Sequence, residues 1–267
     1  MGDIISAALA APAAHKSIMF TGGPGSGKTT ALLKLFPGKR KLIVDTDDKA
    51  VLAIQSLDQP LRDQVLKTTD VWQMTNKRLS GSQEIGIARL PMYDQKKNLV
   101  PGTQGFVPPD PRGYKEFVDF INSLATTTPF PYHVVGIDTL TIVGEHLSAM
   151  ILNHHKLSSF TLQLFGVYKQ NMLELVKGVL SLPCHRVVCV HETTRENDNE
   201  QQVIRPSIMG SYKDEIMKEF SEAYRFNGRN PAGKYTIRTA PNAMIQARTA
   251  MGLPVECEVE EMVKLYV

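Results

Sequence analysis

Cysteine is scarce in this 267-residue chain: Cys184, Cys189 and Cys257 stand alone, with no C-x-x-C pair. That excludes a disulfide scaffold and a thiolate zinc site, and it fits a reducing compartment. Long apolar runs are missing too, none reaching the roughly 18–20 residues a membrane-spanning helix needs. The Ala-rich stretch 4–14 follows Asp3 and has no basic leader, so no secretory signal is expected. Charge is nearly balanced. An excess of 30 Lys+Arg over 27 Asp+Glu gives +3, too small to name a nucleic-acid partner by itself. What is present is 42% hydrophobic side chains, enough for one sizeable core. A cytoplasmic globular protein without membrane contact is expected.

Four short apolar runs, 17–20, 41–44, 132–137 and 186–190, have strand length and end in polar or Gly-rich sequence. The last three are almost continuously apolar, as strands covered on both faces of a parallel sheet are. Helical spacing lies between them. A short helix at 29–36 is stopped by Pro37-Gly38, a second segment is expected at 141–150, and Tyr114, Phe117, Val118, Ile121 and Leu124 form an apolar stripe. Tyr168, Met172, Leu175, Val176, Val179 and Leu180 form another, with Pro183 beyond its end. Strands alternating with helices predict a doubly wound, mostly parallel α/β sheet. Residues 72–113 break the rhythm. Rich in Gly and Pro, with six Lys/Arg against three Asp/Glu, they read as an insertion with a hairpin or ordered loop in one domain spanning 1–267. After His191 come a polar stretch, 192–202, a helix at 211–220, and β-like runs at 223–226 and 235–239. Asn227-Gly228 and Ala232-Gly233 mark turns there, and this part reads as an antiparallel edge of the same sheet.

The first strand runs directly into Thr21-Gly22-Gly23-Pro24-Gly25-Ser26-Gly27-Lys28-Thr29-Thr30, a complete G-x-x-x-x-G-K-[ST] loop. Its glycines let backbone N–H groups curl around phosphate oxygens. The helix beginning near Lys28 aims its positive end at the same charge. Lys28 reaches the β- and γ-phosphates of ATP in such a loop, and the Thr29 hydroxyl ligates Mg²⁺.

Ligands of an open parallel sheet sit beyond the carboxyl ends of its strands. Run 132–137 ends in Asp138-Thr139, so Asp138 is a candidate magnesium ligand, and either residue could instead cap the next helix. Run 41–44 ends in Asp45-Thr46-Asp47-Asp48, where a carboxylate could orient or deprotonate water, or simply form a solvated turn. Run 186–190 ends in His191-Glu192, beside the expected γ-phosphate.

With these residues in order, the chain resembles a RecA-type core P-loop ATPase. It is more closely similar to the phage-encoded nucleotide-binding proteins of the Sak single-strand-annealing class. The pieces carrying the likeness are G-G-P-G-S-G-K-T-T, V-D-T-D-D, V-V-G-I-D-T-L-T and V-V-C-V-H-E, followed by a looser tail through Arg205, Lys213, Arg225 and Arg248. The resemblance implies a RecA-like fold with Asp47 as the water-activating residue, one methylene shorter than the family's Glu, and Glu192 in reserve. His191 takes the γ-phosphate sensor position, and Arg248, Arg238 or Lys234 would act in trans across a subunit boundary. It further implies a homo-oligomer, ring or filament, that acts on single-stranded DNA in the host cytoplasm, with a phage single-strand-binding protein as a further partner. Segments 153–165 and 193–211 are then the DNA-facing loops. Trp72, Tyr93 and Phe106, interleaved with Lys77, Arg78, Arg89, Lys96 and Lys97, could add stacking. Two rivals remain: a nucleotide-gated module that remodels or loads a protein partner, which the acidic residues Glu196, Asp198 and Glu200 would suit, and a P-loop small-molecule kinase with 72–113 as its lid.

Overall fold

The computed structural model describes residues 15–74, 112–157, 159–196 and 200–267. The described strands are β1 (Ser17–Gly22), β2 (Lys41–Asp45), β3 (Thr69–Gln73), β4 (Val134–Asp138), β5 (His185–Glu196), β6 (Gln202–Pro206), β7 (Glu222–Arg229), β8 (Tyr235–Arg238) and β9 (Glu256–Glu258). The helices are α1 (Lys28–Lys34), α2 (Ala50–Gln55), α3 (Gln59–Thr68), α4 (Arg112–Ala125), α5 (Leu140–His155), α6 (Leu162–Leu180), α7 (Tyr212–Glu215) and α8 (Val259–Lys264).

The strands lie in the order β3-β2-β4-β5-β1-β7-β8-β9, with β6 paired to β5. From β3 to β7 every pairing is parallel, and β8 and β9 add an antiparallel edge. The fold is therefore α/β with a mostly parallel sheet and an antiparallel C-terminal margin. Strand period puts alternate residues on opposite faces. Ile18 and Phe20 pack with Leu32, Leu33, Ile54 and Met262 from α1, α2 and α8. Met19 turns to the other layer, where Phe117, Val143, Leu147, Tyr168 and Met172 from α4, α5 and α6 cover the sheet. Both faces are thus buried, which is why these strands read as unbroken apolar runs.

Gly136 in β4 shows how closely α1 approaches. A Cβ there would meet Leu32 Cδ2 at 2.7 Å and Cδ1 at 2.8 Å. Gly136→Ala is expected to cost about 1–3 kcal/mol through overpacking, read as a lower denaturation midpoint with an unchanged m-value.

Several expectations need correcting. Run 223–226 lies in β7, which pairs parallel with β1; the antiparallel edge begins only at β8. The polar stretch 192–202 is not a loop throughout, because β5 continues to Glu196 and folds back as β6, with Glu192 opposite Pro206 and Glu196 opposite Gln202. The helix expected at 211–220 is the four-residue α7 followed by a 3₁₀ turn, Ile216–Glu219. Trp72 belongs to β3, is 5% exposed and stacks on Phe120, so it is core and not a base-stacking surface. The rest of the expected insertion, 75–111, lies outside the described residues, together with Tyr93, Phe106 and its basic side chains; Arg112 and Gly113 open α4.

Candidate nucleotide site

Register assembles the site. Gly22 pairs with His191 across β1 and β5, and Asp45 pairs with Asp138 across β2 and β4. Adjacent strands lie about 4.7–4.9 Å apart, so four strand ends deliver their polar residues to one row. The cleft above them, of about 170 Å³, is lined by Pro24 through Thr30, Asp47, Lys49, Ala53, Asp138, His191 and Tyr235.

The loop occupies the near side. Gly27 precedes α1 with φ 102°, no side chain caps the helix, and no acid stands in its first turn, so the leading N–H groups are left to an anion. Lys28 is buried and donates from Nζ to Gly22 O at 2.7 Å and to Gly23 O at 2.9 Å. Burial lowers its pKa, and the charges of Asp138, Glu192 and Asp47 pull it back.

Thr29 Oγ1 donates to Asp138 Oδ2 at 2.6 Å. A hydroxyl and a carboxylate side by side are the hard oxygen donors magnesium prefers. Among the described residues no group of three His, Cys, Asp or Glu could hold a metal by itself. Ser26 Oγ and Asp47 Oδ1, both buried, have no hydrogen-bond partner and are available to a ligand. Thr29 and Asp138 would hold Mg²⁺, which supplies charge neutralisation on the phosphates when bound. Burial pushes the Asp138 pKa up, opposed by the Thr29 hydrogen bond and Lys28. The helix-capping role falls to its neighbour, since Thr139 Oγ1 accepts from Thr141 N at 3.4 Å.

The two β2 acids divide their work. Asp45 is fully buried and accepts from the Lys49 and Ala50 N–H groups at 3.2 and 3.0 Å, which anchors the start of α2. Burial first, then the charges of Asp47 and Asp138, push its pKa up to about 7 against those two hydrogen bonds. Asp47 faces the cleft instead. Its Oδ2 takes an ammonium contact from Lys49 Nζ at 2.6 Å and lies 3.8 Å from His191 Nε2. Burial, reinforced by Lys28 and Lys49, lowers the His191 pKa to about 4, so the imidazole is neutral at pH 7 and its approach to Asp47 is no ion pair.

A hydroxyl chain stiffens the far wall. Thr46 Oγ1 donates to Thr139 O at 2.8 Å and accepts from Thr139 N at 2.7 Å. Thr139 Oγ1 donates to Cys189 O, and Thr141 Oγ1 accepts from His191 N at 2.9 Å. Sequence reading missed this chain and Lys49, because neither belongs to a spaced motif. The other expected residues lie off the cleft. Glu192 accepts from Arg225 Nε at 3.2 Å. Arg248 exchanges backbone hydrogen bonds with Ala223. Arg238 pairs with Glu256 and Lys234 with Glu258, both at 2.7 Å.

Residues 14–251 match the family described as AAA domain. The chain belongs to that family. As an AAA domain it carries a P-loop ATPase core. No curated protein matches. Among solved structures, the crystal structure of flagellar accessory protein FlaH from Methanocaldococcus jannaschii is similar at 12% identity, covering 88% of this chain and 81% of that one, with a TM-score of 0.36. No helix among the described residues of this AAA domain is long and apolar enough to cross a membrane.

Proposed function

We propose that this AAA domain hydrolyses Mg-ATP and binds single-stranded DNA as a homo-oligomer, in phage-type recombination or strand annealing. The observation that carries the reading is the continuity of β5. One strand passes from His191, in the phosphate cleft, into an antiparallel ladder with β6 whose outer residues Thr194, Arg195 and Glu196 are exposed. The His191 carbonyl also accepts from Ser207 N at 2.7 Å, tying both hairpin legs to the cleft. A change at the γ-phosphate thus has a covalent route to an exposed element in the segment that the sequence resemblance assigns to DNA. Exposed Lys156, just past the end of α5, adds positive charge in the other such segment.

In the hydrolytic step Lys28 and the loop N–H groups bind the phosphates, Thr29 and Asp138 hold the ion, and Asp47 orients the attacking water. A protein partner in place of DNA is the second reading, favoured by Glu196 and Glu200 on the hairpin, which repel phosphate. Steady-state ATP hydrolysis with and without single-stranded DNA separates them. Stimulation of roughly fivefold or more, the lower range of inter-site coupling, supports the DNA reading. A rate unmoved by DNA, with no ATP-dependent DNA retention, moves the assignment to a protein partner.

A further inference from the structure

The geometry points to Lys49 as a second cationic arm for the terminal phosphate, carried in cis opposite Lys28 and releasing Asp47 as it engages. The inference rests on the ATP-hydrolysis reading above. Lys49 stands just ahead of α2, and its root is fixed because its N–H donates to Asp45 Oδ1. Its side chain turns into the cleft, with Nζ on Asp47 Oδ2, and it lines the same cavity as Lys28, Thr29, Asp138 and His191. At 53% exposure the ammonium stays hydrated and its four-carbon stem is free to swing.

Other charges near the site are less available. Lys28 is bonded to two loop carbonyls. His191 faces the same carboxylate at 3.8 Å and carries no charge at neutral pH. Arg225 is held by Glu192 and Asn227, and Arg238 and Lys234 are held by Glu256 and Glu258. Among the described residues, Lys28 and Lys49 are the two Lys/Arg side chains that line the cleft. The cation sought across a subunit boundary from the resemblance therefore has a counterpart within the chain.

The chemistry follows from competition between anions. While Lys49 sits on Asp47 Oδ2, that oxygen's lone pairs face an ammonium and not water. A terminal phosphate carries more negative charge than one carboxylate and draws Lys49 away. Asp47 Oδ2 is then free to accept the proton of the attacking water as its oxygen bonds to the γ-phosphorus. The bond from that phosphorus to the bridging oxygen breaks, and ADP leaves with the electron pair. Lys49 meanwhile places positive charge on the phosphoryl oxygens, where charge must be stabilised during transfer. ADP has no γ-phosphate and leaves Lys49 on Asp47, so Oδ2 is released only when there is a bond to cleave.

The test uses the full chain with Lys49→Ala and Lys49→Arg, titrated with a non-hydrolysable ATP analogue and with ADP, alongside steady-state turnover. In Lys49→Ala the analogue's affinity should fall roughly tenfold, as loss of one charge-assisted hydrogen bond predicts, while ADP affinity holds. Its kcat should fall by roughly ten- to a hundredfold, and Lys49→Arg should recover part of both losses. An unchanged ratio of analogue to ADP affinity, or a kcat equal to or above that of the parent, overturns the assignment. Lys28→Ala is the discriminating control. If that variant still hydrolyses ATP, the site reading itself is wrong; if it is dead while Lys49→Ala turns over normally, only the role of Lys49 falls.

Discussion

Lys28→Ala should reduce ATP hydrolysis by at least about a thousandfold, to the level of the blank, because it removes the charge that bridges the β- and γ-phosphates. The same variant should melt within a few degrees of the parent protein. Lys28 is buried with a depressed pKa, so its charged form is held at a desolvation cost that deletion relieves. What is lost with it are two hydrogen bonds to loop carbonyls, one buried and one part-buried, and the space the side chain leaves adjoins the cleft, so water can enter it. Phosphate release, fluorescent-nucleotide titration and a melting curve on one preparation check both halves. Normal turnover in this variant would dissolve the entire site assignment.

Gly27→Ala should be nearly as damaging, through a contact that no loop motif announces. A Cβ at position 27 would lie 2.6–2.9 Å from the Tyr235 ring, and the residue has φ 102°. The ring cannot retreat easily, since Arg229 Cζ lies over it, 4.7 Å from its centroid. Overpacking of roughly 1–3 kcal/mol and left-handed strain of roughly 1–2 kcal/mol act together on a loop that must keep its N–H groups aligned. Nucleotide affinity should therefore drop by roughly thirtyfold to a few thousandfold. Adding Tyr235→Ala removes the clash and leaves the strain, so the double variant should regain about half of the lost binding free energy. A double variant no better than Gly27→Ala would show that Tyr235 does not press on the loop.

The loop was legible in the sequence because its function requires contiguous residues in fixed spacing. The strands that end in Asp138 and His191 were legible because both their faces are buried. The remainder was hidden for physical reasons. The outer part of β5, Glu192–Glu196, is polar and half-buried to exposed, so it gives no apolar period. Strand β3 has only Val71 and Trp72 fully buried, too few to show a pattern. The direction of β7 was misread because apolar character marks a strand without orienting it. The return from β5 to β7, which runs the same way, passes through β6 and residues 207–221, the length a parallel crossover needs. Lys49 escaped because its role comes from a carboxylate two residues away that any solvated acidic turn would offer as well.

The pairing of Gly22 with His191 and of Asp45 with Asp138 makes the alignment of the site a collective property. Asp138 and His191 stand within the ladder and not on a loop tip that could drift by itself. Each residue's height is tied through ladder hydrogen bonds to that of its neighbour, and a slip of one position would turn every side chain of that strand to the opposite layer. Phosphate grip, ion site and sensor are in this sense read off a single ruler. A change of length within one of these strands would therefore misplace the residues of its neighbours, whereas a side chain can be exchanged in place.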